Sequence, residues 1–130
     1  MENNNAKEWL KRAKNNLYRG QDSSYLDYRE VSLEDLCFDL QQCVEKSFKA
    51  LLILKNIEFP KTHSISKLIE LLQENEINIP EELLESTELT IYAVETRYPL
   101  HFQEPVSKKE HKNILGIAQK VYAWAKTQIN

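Results

Sequence analysis

Apolar residues recur every three or four positions along most of this chain, with polar residues filling the gaps between them. In the first segment Ala6, Trp9, Leu10, Ala13 and Leu17 share one helical face while Lys7, Lys11, Arg12 and Lys14 occupy the rest. That spacing predicts a helix over about 6–19, with Gly20 as its expected terminator. A polar connector, "QDSSYLDYRE", separates it from the next pattern. There Ser32 can cap, Asp35 holds the capping-box position, and Val31 with Leu36 can form a hydrophobic staple. From this start to about Asn56 no Gly or Pro intervenes. Leu33, Leu36, Cys37, Leu40, Cys43, Val44, Phe48, Leu51, Leu52 and Leu54 cover far more than one stripe. A helix so apolar must be covered on several sides, either by the other helices of a bundle or in part by a second copy of the chain.

Three further helices follow. Pro60 discourages helix at Phe59, and a short helix is expected over about 64–74, carrying Ile65, Leu68, Ile69, Leu71 and Leu72. Pro80 suits a first helical turn, and the carboxylates of "EELLES" suit the positive helix end. That fourth helix is expected to run through Leu84, Ile91, Tyr92 and Val94 to Arg97, where Tyr98 and Pro99 stop it on backbone sterics. Ser107 and Glu110 form a second capping box, after which Ile114, Leu115, Ile117, Ala118, Val121, Tyr122 and Ala125 line a last helix.

The chain shows no strand alternation and no internal repeat. With Gly at 2 and Pro at 4 among 130 residues, it lacks the turn chemistry of a sandwich or barrel. The expected fold is all-α, an antiparallel up-and-down four-helix bundle with one short extra helix, as a single domain over 1–130. A net charge of -3 gives no global basic field to draw the chain onto nucleic acid, although 17 Lys and Arg leave room for a local one. The opening "MENNNAKEWLKRAKNN" holds no apolar run of signal-peptide length, and no segment approaches the roughly 20 apolar residues of a membrane span. A cytoplasmic protein is expected. Cys37 and Cys43, six apart on one helix, suit neither a disulfide nor a metal hook and read as buried free thiols.

No glycine-rich phosphate loop, nucleophile elbow or HExxH stretch is present, and no cofactor is expected. The three histidines are too scattered for a zinc site. His63 precedes a helix and reads as an orienting hydrogen-bonding group, and His111, in a first helical turn, reads as a surface residue. His101 stands near Arg97 in "ETRYPLHF". Metal-free RNA cleavage needs an acid and a base at the reacting oxygens and positive charge on the phosphate. One Arg and one His, doubled by a two-fold axis, can supply these. The same arginine also fits the last turn of a helix, where the macrodipole favours a cation.

Two blocks bring a family into view. "DLCFDLQQCVEKSFKALLILKNIEFPKTHSISKLIELL" resembles the second helix of the HEPN domain family, with its C-F-x-x-Q-Q-x-x-E-K-x-x-K-A-L-L pattern. "TIYAVETRYP" resembles the Y-A-x-x-x-R-Y-P ending of that family's next long helix. The resemblance spans roughly 7–125 and implies a helical bundle that forms a homodimer. It also implies a partner, a minimal nucleotidyltransferase encoded beside it in a toxin–antitoxin-type module. Nuclease-active members carry R-x4-6-H with a polar residue after the Arg. Here Arg97 matches, but His101 follows after three residues and Tyr98 takes the polar position. The resemblance therefore implies a nucleotide- or RNA-binding cleft around Arg97 at a homodimer interface, with an endoribonuclease using Arg97 and His101 as catalytic pair as the alternative. In some toxin members a Tyr near the Arg is nucleotidylated by the partner; Tyr98 is the candidate for that role here, within a motif that differs.

Gln41, Gln42, Glu45, Lys46 and Lys49 form a polar strip on the otherwise apolar second helix. Glu45 and Lys49 stand at i and i+4 in the favourable order, a pairing of about 0.3–0.5 kcal/mol when exposed. The strip is expected to be solvated or internally paired. In the functional alternative, Gln42, Lys46 or Lys49 faces Arg97 and contacts a phosphate or nucleotide.

Overall fold

The structure is a computed structural model that describes residues 2–21, 32–94 and 105–130. Its helices are α1 (Glu2–Gln21), α2 (Leu33–Leu54), α3 (Ile65–Glu74), a 3-10 helix (Glu81–Thr90) running into α4 (Ile91–Val94), and α5 (Lys108–Ile129). Together they form an all-α, antiparallel up-and-down bundle with α3 as the short extra helix, and the described residues contain no strand. None of the described helices is long and apolar enough to cross a membrane.

Why α2 is apolar almost all round is now plain: it touches every other element of the fold. Leu36, Leu40, Val44, Phe48, Leu51 and Leu52 are fully buried on it, and all but Leu36 share one core with Ile65, Leu68 and Leu72 of α3 and Leu83 and Leu89 of the 3-10 helix. Each such side chain contributes about 1.5–3 kcal/mol of apolar burial. Phe48 also meets Trp124 of α5 edge to face, with centroids 6.3 Å apart. Cys37 and Cys43 are buried free thiols, and burial pushes both up to about 12, so neither is nucleophilic near neutral pH.

The caps follow the sequence. Ser32, Ser64 and Ser107 each accept a hydrogen bond from the backbone N–H three residues on, at 3.2, 3.2 and 3.0 Å. Glu110 does not complete its box: its carboxylate instead accepts from the Tyr92 hydroxyl, tying α5 to α4. Glu34, in the first turn of α2, accepts from the Val106 N–H at 2.8 Å and so ties α2 to the start of α5. Val31, the other half of the expected staple, lies outside the described residues.

Three expectations are corrected. Gly20 does not terminate α1 but lies inside it, where α1 crosses α2 at close range. A Cβ there would stand 2.6 Å from Leu40 Cδ2 and 2.9 Å from the Leu36 carbonyl oxygen. The helix ends that do use left-handed backbone fall on Asn56 (φ 58°) and Glu76 (φ 64°). In both, the next residue closes a six-residue ring, Ile57 N–H to Leu52 O at 2.9 Å and Ile77 N–H to Leu72 O at 3.0 Å. These are paired Schellman motifs without glycine.

Second, His111 is buried, its Nε2 lying 2.6 Å from the Gly20 carbonyl. That carbonyl is one of the last four of α1, which lack a partner within the helix, so His111 serves as a tertiary cap. Third, the fourth helix opens in 3-10 geometry. Leu83, Ser86 and Leu89 are its buried residues, spaced by three, and Glu82, Glu85 and Glu88 are exposed at the same interval. A repeat of 3.0 keeps both sets in line, where an α-helix would wind them round its axis. Thr90 holds its far end to α3 by accepting from the Ile65 N–H at 3.2 Å.

Candidate functional site

Polar side chains inside this bundle gather along one strip of α2, where they form two adjoining clusters. The first centres on Glu45, whose side chain is 4% exposed. Its Oε1 takes the Lys49 ammonium at 2.6 Å and its Oε2 takes the Gln41 amide at 2.9 Å. Gln42 donates to Gln41 Oε1 at 2.8 Å and reaches Glu45 Oε2 at 3.4 Å. His63, in the connection before α3, brings Nδ1 to 3.2 and 3.1 Å from the two carboxylate oxygens. Lys49 Nζ completes the cluster between two aromatic faces, 6.0 Å from the Trp9 ring centre and 5.8 Å from that of Phe59.

Burial by itself pushes the Glu45 carboxyl up, but the hydrogen bonds from Lys49 and Gln41, the Lys49 charge and the His63 contact outweigh it. The net result lies below the ordinary carboxylate value. Glu45 is therefore an ionised, buried anion satisfied on both oxygens. His63 differs from the rest of the cluster in that its side chain is 61% exposed. The carboxylate fixes Nδ1 and so leaves Nε2 turned away from Glu45.

The second cluster lies one turn away, between α1 and α2. Lys46 donates to Asn16 Oδ1 at 2.8 Å, and Asn16 donates to Asp39 Oδ1 at 2.9 Å. Arg19 Nε reaches the same Asp39 oxygen at 3.3 Å. The Lys46 ammonium is pushed below its ordinary value, first by burial and then by the positive charge of Arg19. Arg12 adds to this, while Glu45 and Asp39 act in the opposite sense. Lys46 thus bonds to a neutral amide in a field with surplus positive charge. Among the described residues no group of three or more His, Cys, Asp or Glu stands close enough to hold a metal ion.

Of the candidate residues, Gln42, Lys46 and Lys49 are placed together on α2. Lys49 and Gln42 are engaged with Glu45, as the internally paired reading expects, and Lys46 is the cation of the strip whose bonding partner carries no charge. Arg97, Tyr98 and His101 lie outside the described residues. His63 does form an orienting bond, but to the carboxylate of α2 rather than to the start of α3, which Ser64 caps. Asn16 and Asp39 carry no signal in the sequence beyond their place on two amphipathic helices, because the link between them crosses 23 positions.

The model of the HEPN domain family matches residues 6–128. Among solved structures, the crystal structure of an archaeal HEPN homologue is similar at a TM-score of 0.72 and 28% sequence identity, covering 96% of this chain and 98% of that one. No curated protein matched the sequence.

Proposed function

The chain belongs to the HEPN domain family, and from that premise we propose that it is a nucleotide- or RNA-binding subunit of a two-gene, toxin–antitoxin-type module. In this reading it forms a single domain over 1–130, acts in the cytoplasm as a homodimer and answers to a minimal nucleotidyltransferase partner. Arg97 holds ligand phosphate in a cleft at the dimer interface, with Tyr98 beside it in the sequence.

The observation that carries the reading is the state of Lys46. It is a half-buried ammonium bonded to a neutral amide, with Arg19 and Arg12 raising the positive potential around it and Glu45 and Asp39 offsetting part of that. A phosphate oxygen is the group such a cation lacks, and its arrival would offset both the repulsion and the burial. Lys49 belongs to the scaffold of this site, since Glu45 already holds its charge, and Gln42 can turn its amide outward at the cost of its bonds to Gln41 and Glu45.

The test compares wild type, Arg97→Ala, Lys46→Ala and His101→Ala in RNA and ATP titrations, and in RNA incubations containing EDTA. Weaker, less salt-sensitive binding is expected in the Arg97 and Lys46 variants, with intact RNA throughout. Metal-independent cleavage that disappears in Arg97→Ala and His101→Ala would replace this reading with the endoribonuclease one. Binding that none of the substitutions changes would remove the site altogether.

A further inference from the structure

Two helices carry a charge opposite to that of the molecule, α5 with five Lys against one Glu (+4) and α1. Five Lys and Arg against two Glu give α1 a charge of +3 within a chain of -3, so everything else sums to -6. The positive charge is also ordered. Lys7, Lys11, Lys14 and Tyr18 follow one another at four, three and four residues, which sets them in a single row along the helix. The row is about 16 Å long at 1.5 Å per residue.

Among the described residues the three lysines make no ion pair. The Lys14 ammonium lies 5.5 Å above the Tyr18 ring, and the groups that hold it above its ordinary value are Tyr18 first and then Tyr122. Tyr18 itself is 52% exposed, one of two large hydrophobic residues so open to solvent among those described. Behind the row, Arg12 and Arg19 each have one acidic neighbour, Glu8 at 3.6 Å and Asp39 at 3.3 Å.

We infer that this row binds the phosphodiester backbone of single-stranded RNA, with Tyr18 as a stacking platform for a base at its end. A line of ammonium groups with no ion pair among the described residues, finishing on a half-exposed aromatic ring whose other face is left for a base, is the combination that single strands use, with charge along the backbone and stacking on any base. A lipid surface fits less well, because an interfacial helix needs its apolar side free. That side of α1, Ala6, Leu10, Ala13 and Leu17, is buried in the core. The row goes beyond the Arg97 reading and does not depend on it, since all four of its residues stand on α1.

The measurement is the anisotropy of a labelled, mixed-sequence single-stranded RNA titrated with protein from about 50 to about 200 mM salt. Four variants are compared with wild type: Lys7→Gln/Lys11→Gln/Lys14→Gln, Tyr18→Ala, Arg97→Ala, and Lys108→Gln/Lys109→Gln/Lys112→Gln. The last makes the same change of charge at exposed positions of α5. The α1 triple variant should show a log-affinity against log-salt slope shallower by about 2, at roughly 0.7 for each phosphate no longer neutralised. Tyr18→Ala should lose about fivefold or more in affinity at unchanged slope, and the α5 triple variant should behave as wild type.

Equal losses in the two triple variants would mean general attraction alone and overturn the site. So would binding that Arg97→Ala abolishes and the α1 variant leaves unchanged, a result that keeps the Arg97 reading. Weakened binding in the α1 variant with Arg97→Ala unaffected upholds the row and removes the Arg97 reading. Wild type that ignores RNA but binds phosphatidylserine vesicles would overturn the row as an RNA site.

Discussion

Glu45 and Lys49 show how much burial changes the meaning of a pairing visible in sequence. On an exposed helix face the two would contribute about 0.3–0.5 kcal/mol. Here the carboxylate and ammonium sit within the fold 2.6 Å apart, and the pair's net worth against an apolar replacement is small. Breaking one half is another matter, because the remaining charge keeps its desolvation cost without its partner. Glu45→Ala is therefore expected to destabilise by about 3–5 kcal/mol in urea unfolding, whereas Glu45→Leu combined with Lys49→Met should recover most of that loss. If the single and double variants were equally unstable, the charge pairing would not be the cause.

The pH dependence follows from the direction of the Glu45 shift. Its carboxyl lies lower in the fold than in the unfolded chain, so its stabilisation is present above the ordinary carboxylate value and fades as pH falls through the lower folded one. The stability gap between wild type and Glu45→Gln should accordingly narrow below about pH 4. A gap constant across that range would contradict an ionised Glu45.

At the scale of the elements, the chain has two glycines and places both inside helices, for opposite reasons. Gly20 lets α1 approach α2, and a methyl there meets the Leu36 carbonyl oxygen, backbone that cannot rotate aside. Gly20→Ala should cost about 1–3 kcal/mol by overpacking. Gly116 has nothing within 4 Å of the same position, so Gly116→Ala should stabilise α5 by about 0.5–1 kcal/mol. Thermal unfolding of the two variants checks the contrast, and shifts in the same direction would refute the packing account. The helix ends carry the complementary cost. Glu76 holds φ 64° without glycine's freedom, and Glu76→Gly should raise stability by up to about 1 kcal/mol. Unchanged or lower stability in the urea midpoint would mean that the left-handed turn is not strained.

Legibility differs by element for physical reasons. The α-helices can be read because their buried positions recur at the helical period, and α2's central place follows from apolar residues on nearly all sides. The 3-10 helix escapes such a reading because its three-residue repeat shares positions with an α pattern over short spans. Leu84, one of the apolar positions through which that helix is traced in sequence, is only half-buried, while Leu83 is fully so. Gly20 misleads because a glycine permitting close approach and one ending a helix look the same in sequence.

For the whole molecule, what joins fold to function is the polar strip of α2. Its local part, Glu45 with Lys49, is legible because four residues make one helical turn. Its tertiary part is not: His63 reaches Glu45 across 18 positions and Asn16 reaches Lys46 across 30, separations that only the packed bundle closes. Arg97 is legible through the family pattern alone, because one arginine at a helix end satisfies the macrodipole as well as it would a phosphate. Lys46 adds a half-buried ammonium at the seam of α1 and α2, bonded there to the neutral amide of Asn16.

The most direct test of the central claim is the affinity of the purified protein for single-stranded RNA and for ATP, in EDTA, with and without Arg97→Ala. Wild type should bind at least one of these ligands in a salt-sensitive way, and the substitution should weaken that binding while the RNA stays intact. Wild type and variant that bind equally, or bind neither, would contradict it.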